Sequence, residues 1–172
     1  LKSNGRLISA VFSASNGGKT ESNANVWGTS PVSYLTIKTD EFDAKTAWKY
    51  SVKKQQIDPT IQSWDQMKEF DTTITTSIKS WMLTHGYAGK EIKITAIPIL
   101  SLNTPTSGGR VSKGDITIEF FTKDKVDQNG KFLPQKIEYK NVSATQIRAM
   151  VGIRAMLSYL VTNITQTSDN IT

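Results

Sequence analysis

The chain has 172 residues, with 21 Lys+Arg against 15 Asp+Glu, a net charge of +6 and a pI near 9.5. It has no cysteine, which excludes disulfides, thiolate zinc sites and thiol nucleophiles, and a single histidine, His85, on which any histidine triad or metal cluster would have to be built. No uninterrupted apolar run approaches the roughly 18 residues of a membrane span; the longest candidate, Ala149–Val161, is broken by Arg154 and Ser158.

This length buries one substantial core, and the richness in Ser and Thr favours strands and turns over a helix bundle. The basic surplus suits an anionic partner: nucleic acid, an acidic lipid surface or an acidic protein. The first residue is Leu and no signal-peptide pattern follows it, so the sequence reads as a trimmed or processed product.

In chain order, Arg6–Ser13 reads as a first strand and Ser15–Ser30 as a Gly/Asn/Ser-rich loop containing Trp27. Val32–Lys38 alternates as a strand, Thr39–Lys45 is an acidic turn region, and Thr46–Lys54 alternates again through Trp48, Tyr50 and Val52. Asp58-Pro59 is a helix entry, predicting a helical piece over Pro59–Phe70. Asp71 is placed to cap a second helix, Thr72–Leu83, whose face is Ile74, Ile78, Trp81 and Met82; Gly86 supplies its stop. Trp48, Tyr50 and Trp81 read as core.

Ile92, Ile94 and Ala96 alternate with Lys93 and Thr95 in a half-buried strand, Ile92–Leu102, in which Pro98 demands an edge or a bulge. A turn-rich loop, Asn103–Arg110, leads to a strand marked by Ile116, Ile118 and Phe120, and Lys136–Asn141 is a last short strand. Ser143 caps a final helix, about Ala144–Thr165. No repeat or linker splits the chain. It reads as one domain over 1–172, with 1–30 a flexible N-terminal segment and 166–172 a frayed tail.

Three short motifs resolve into ordinary structure. Ser13–Thr20 approaches a phosphate-binding loop, but Ser13 stands where that loop needs glycine and Glu21–Asn25 starts a helix poorly. Asp124–Gly130 resembles a calcium loop in outline, yet lysines (Lys125 and Lys136) fall on the first and twelfth ligand positions. Asn141, Asn163 and Asn170 open glycosylation sequons, which matter only in a secreted protein. The basic residues carry more. From Asn129 to Thr167, Lys131, Lys136, Lys140, Arg148 and Arg154 are opposed by Glu138 alone, and Lys53-Lys54, Lys90 and Lys93 form secondary clusters.

The order of parts resembles the matrix proteins of rhabdoviruses, plant-virus members included. The likeness spans about Thr46 to Thr165. It rests on the aromatic-basic run Trp48–Lys54, a helix carrying Ser80-Trp81, the Ala88-Gly89-Lys90 step, a long apolar strand into a Pro/Gly loop, Lys113-Gly114 opening a strand that ends Thr122-Lys123-Asp124, and a closing amphipathic helix. The resemblance implies an α+β fold, a twisted and mostly antiparallel sheet with two or three helices packed against it in a single compact domain. It also implies a non-enzymatic protein without cofactor, metal or small-molecule substrate.

Such a protein would self-associate, partly through the Pro98 edge strand, and bridge a viral nucleoprotein–RNA complex to an anionic membrane surface. It would lie beneath the virion envelope and, in the host, in the cytoplasm and at the inner membrane face. Lys131, Lys136, Lys140, Arg148 and Arg154 would face lipid or nucleocapsid. Two departures stand against it: this sequence shows neither the N-terminal lysine clusters nor the Pro-rich budding motif of animal-virus members, through trimming or because a plant-virus member does without them, and Asn103–Gly109 is short and polar where animal-virus members carry a longer apolar loop. The alternative is an extracellular domain of a bacterial lipoprotein or surface protein that binds a protein or glycan. A third reading, a hydrolase, needs a carboxylate and a hydroxyl within hydrogen-bond reach of His85.

Overall fold

A computed structural model describes residues 1–12, 16–43 and 48–172. Ser13–Ser15 of the phosphate-loop candidate, Ala44 and Lys45 of the acidic turn, and Thr46 and Ala47 of the third expected strand lie outside the described residues. The element order is β1 (Lys2–Ser3), β2 (Arg6–Leu7), α1 (Asn23–Trp27), β3 (Val52–Lys53), α2 (Thr72–Thr84), β4 (Ile92–Pro105), β5 (Val111–Thr122), β6 (Gln135–Ser143), α3 (Ala144–Val151) and β7 (Asn170–Ile171). The fold is mixed α+β, as the sequence predicts. The chain divides into two compact units, one comprising 1–48 with 105–110 and the other 49–104 with 111–172.

The first unit is held by polar contacts. None of its described apolar side chains is buried, whereas Asn23 is, with its amide donating to Thr29 Oγ1 and Ser30 O while its oxygen accepts from Val32 N. Glu21 accepts from Thr106 Oγ1, Asn25 Nδ2 and Ser22 N. A Cβ on Gly108 would overlap that carboxylate, so a larger residue there would have to displace it. The amides of Asn16 and Gly17 donate to the Asp43 carboxylate, so these two donors of the phosphate-loop candidate are already engaged by an internal acid. β1 and β2 form a two-residue-per-strand hairpin through Asn4 and Gly5, both with positive φ. Val32–Lys38 forms no strand; just beyond it, Thr39 makes a single isolated bridge to Lys19.

The second unit contains the core. Its three-stranded sheet has the order β4-β5-β6, with β5 and β6 antiparallel. Ile116, Ile118 and Phe120 of β5 and Ile92, Ile94 and Ala96 of β4 are buried, as period-two alternation requires, together with Ile74, Ile78 and Met82 of α2 and Ile147, Met150 and Val151 of α3. α2 packs on α3, and α3 on β5 and β6. Rings tie α2 and the turn after it to the sheet: Trp81 meets Tyr139 edge-on at 5.6 Å, and Tyr87 meets Phe120 at 5.2 Å. Gly114 permits the closest approach, because a Cβ there would lie 2.1 Å from Ser101 O and 2.7 Å from Ile147 Cδ1. The ladder shifts register beside it, between Gly114 and Ile116.

Five sequence-based expectations fail. Pro59–Phe70 is a series of turns, because Asp58 Oδ1 accepts from both the amide and the hydroxyl of Thr60 and closes a turn instead of capping a helix. Asp71 precedes α2 without capping it: its carboxylate accepts from Lys53 N (2.8 Å) and Gln56 Nε2 (2.9 Å). The last helix ends at Val151 rather than Thr165, since Gly152 takes φ 88 and the chain turns away, leaving Ile153 and Leu157 exposed. The tail expected to fray pairs instead, with Ile171 opposite Val52 and Asn170 opposite Lys53. Trp48, Tyr50 and Trp81 are half-buried rather than enclosed.

Candidate partner-binding edge

The basic residues singled out from the sequence separate into distinct settings. Lys136 and Lys140 point the same way from β6 and are exposed, with Glu138 between them, 3.0 Å from Lys136. Lys131 is exposed in the preceding loop, where its amide donates to Asp127. Arg148 is turned to internal use. Its Nε donates to Met156 O (2.8 Å), its terminal nitrogen to Leu157 O (3.1 Å), and the guanidinium lies 5.2 Å from the Tyr159 ring centre. Arg154 is exposed beside an open concavity of about 390 Å³, shared with Ile153 and the hydroxyl residues Thr72, Thr73, Thr76 and Ser77 of α2. Ser77 Oγ already donates to Thr73 O.

The secondary cations do not converge either. Lys53 stands 4.2 Å over the Phe70 ring, and Lys54 is half-buried behind it in sequence. Lys90 pairs with Asp124 at 2.5 Å. Lys93 donates to Met67 O (2.7 Å) over Trp64. A single cationic face is therefore not formed. What the structure assembles is the Lys136–Glu138–Lys140 row on the last strand of the sheet.

The carboxylate in that row is held in its charged form by its neighbours. A hydrogen bond from Lys136, then its charge and that of Lys140, hold the Glu138 carboxyl below the ordinary carboxylate range. Across the ladder, Asp115 is lowered by the Asn141 amide, the Ser101 hydroxyl and Lys140. Both acids remain ionised as pH falls past the value of a free carboxyl.

The two sheet edges differ. Beside β4, Gln56 N donates to Thr95 O (2.8 Å) and Ile97 N to Lys54 O (2.7 Å), so the Pro98 strand expected to mediate self-contact already has a neighbour next to its proline. β6 is the outermost strand on the other side, and among the described residues only β5 pairs with it.

His85 closes α2. Its Nδ1 lies 2.8 Å from Trp81 O and 2.9 Å from Thr84 Oγ1, and its ring stacks on Trp81 at 4.0 Å. A hydroxyl is thus within reach, but no carboxylate bonds the ring among the described residues.

No protein-family model and no solved structure matches the chain. Among curated proteins, 32% identity extends over 170 residues, 94% of this chain, to a protein of Bacillus subtilis (strain 168). That protein is named amidase enhancer. The chain spans 24% of its length, so the similarity concerns one stretch of a much longer protein.

This finding overturns the rhabdovirus matrix expectation and points to a bacterial protein. The viral nucleoprotein–RNA partner, the self-associating lattice on an anionic membrane, and the placement in a virion and host cytoplasm are withdrawn with it. The physical reason is that the resemblance rested on the order of elements and on short words. Ser80-Trp81 is part of an ordinary helix end, and Ala88-Gly89-Lys90 is a turn with Gly89 at φ 71; such parts recur in unrelated α+β domains.

Proposed function

We propose that this chain is a non-catalytic binding module of a bacterial surface or secreted protein, and that it raises the activity of an amidase by binding it. The observation that carries the reading is the 32% identity with the amidase enhancer across 94% of the chain. Two features of the structure support binding over catalysis. His85 is engaged with the end of its own helix, and no carboxylate bonds its ring among the described residues. The exposed charges of β6 offer a protein partner a patterned edge.

The test is an amidase of Bacillus subtilis assayed with increasing amounts of the purified chain, alongside a direct measurement of the complex by surface plasmon resonance. Saturable stimulation that tracks complex formation is expected. An amidase whose rate is unaffected and which forms no complex contradicts the reading. A chain that cleaves the amide substrate alone contradicts the non-catalytic part.

A further inference from the structure

β6 runs nine residues, Gln135–Ser143, without an internal proline or glycine. Its inner side chains, Ile137 and Tyr139, are half-buried, and Tyr139 is fixed against Trp81. Its outer side chains alternate Lys136, Glu138, Lys140 and are exposed. On the β5 side the register is fixed by Ile118 opposite Ile137 and Ile116 opposite Tyr139, while Asn141 N is taken by Asp115. The far side of β6 is open among the described residues, whereas on the outer side of β4 Lys54–Gln56 bond to Thr95 and Ile97. A strand edge of this kind leaves every second amide and carbonyl unpaired by protein, and charged side chains normally guard such edges from indiscriminate pairing. The same charges make the edge selective, because a strand laid beside it must place acid, base and acid opposite cation, anion and cation.

We propose that β6 is the docking edge of this module, and that its occupant is an extended segment of a protein partner whose one face reads acidic, basic, acidic at alternate positions. The partner adds a fourth strand to the β4-β5-β6 sheet through main-chain hydrogen bonds. Its acidic residues meet Lys136 and Lys140 and its basic residue meets Glu138. Asp115 and Glu138, held ionised into acid, keep this reading frame intact when the medium is mildly acidic. The inference rests on the reading of the chain as a protein-binding module only in taking the occupant to be a protein; the edge itself is argued from the sheet.

The probes are synthetic peptides as long as β6. One carries Glu, Lys, Glu on one face with Thr and Val on the other, a second has every charge reversed, and a third is the first with its backbone amides N-methylated. Binding is followed by fluorescence anisotropy and by amide chemical shifts of the labelled chain. The first peptide should bind with shifts confined to Gln135–Ser143 and the sheet beneath, and the charge-reversed and methylated peptides at least about tenfold more weakly. The triple variant K136E/E138K/K140E should exchange the preference between the two charged peptides.

Equal affinity for both charged peptides, shifts away from β6, or a chain already paired through β6 as a dimer in sedimentation would each overturn the proposal. The amidase assay separates this failure from failure of the broader reading. Undiminished stimulation by the triple variant removes β6 as the docking edge and leaves the module's function standing. Selective peptide binding with no effect on any amidase retains the edge and removes the function.

Discussion

Replacing Arg148 separates a structural cation from a partner-facing one. Arg148→Ala removes a charge-assisted hydrogen bond to Met156 O, another to Leu157 O and the stacking on Tyr159. Charge-assisted bonds contribute about 1.5–3 kcal/mol each where desolvated, and a cation over an aromatic ring adds about 0.5–1 kcal/mol at an exposed site. The second bond is exposed, which reduces its share, so the net loss is about 2–3 kcal/mol. For a chain of this size each kcal/mol lowers Tm by about 2–4 °C, giving a drop of about 5–10 °C in a calorimetric or circular-dichroism melt. Arg148→Lys keeps the charge but cannot present a fork of donors, and should recover roughly half of the loss. Partner binding measured well below the melting temperature should be unchanged in both variants. A melting temperature within about a degree of wild type, together with lost binding, would refute the structural assignment and return Arg148 to the surface set.

Three further outcomes follow from the packing and electrostatics. Gly114→Ala puts a methyl into Ser101 O and Ile147, and should destabilise by about 2–3 kcal/mol in urea unfolding, against about 1 kcal/mol for Gly130→Ala, whose cost is conformational because the space is open; equal effects would contradict the close approach. Gln56→Ala should cost about 2–3 kcal/mol, since the buried Gln56 amide joins Lys53 O to Asp71 Oδ2 and its oxygen accepts from Asp71 N; an unchanged denaturation midpoint would contradict it.

The third concerns pH. Burial pushes the Glu21 carboxyl up, but hydrogen bonds from Thr106, Asn25 and Ser22 and the charge of Arg110 outweigh it and hold the pKa below the ordinary value. Its stabilisation is therefore present above the unfolded carboxyl pKa and is lost as pH falls through the lowered folded value. Hydrogen exchange at Thr106 and Arg110 should accelerate over that acidic window in wild type, and Glu21→Gln should flatten the dependence. An identical pH profile in both proteins would refute it.

The elements built on strict periodicity were legible in the sequence. Ile92, Ile94 and Ala96, then Ile116, Ile118 and Phe120, place β4 and β5 because alternation and burial coincide there. α2 was legible from Ile74, Ile78 and Met82 despite its run of threonines, since packing on α3 overrides weak propensity. Signals carried by a single polar residue were not decisive. Asp58 and Asp71 both look like helix caps, and other donors take their oxygens instead: Thr60, two residues on, for the first, and Lys53 and Gln56 for the second. The apolar positions after Gly152 continue a helical spacing, yet that glycine turns the chain and Ile153 ends up exposed.

For the candidate site, the Lys136–Glu138–Lys140 alternation is visible in the sequence as a period-two row. What singles it out is topology, since the β4-β5-β6 order leaves β6 outermost, while the other edge strand already bonds Lys54 and Gln56 at Thr95 and Ile97. Arg148 and Lys93 looked like surface cations because sequence does not show which carbonyls a folded loop will bring to them.

Whether the chain acts by binding an amidase is decided by the rate of a Bacillus subtilis amidase, measured as the purified chain is titrated against it. A saturable rise in rate that follows complex formation is the result the account predicts. A rate indifferent to the chain at every concentration, with no complex formed, would contradict it.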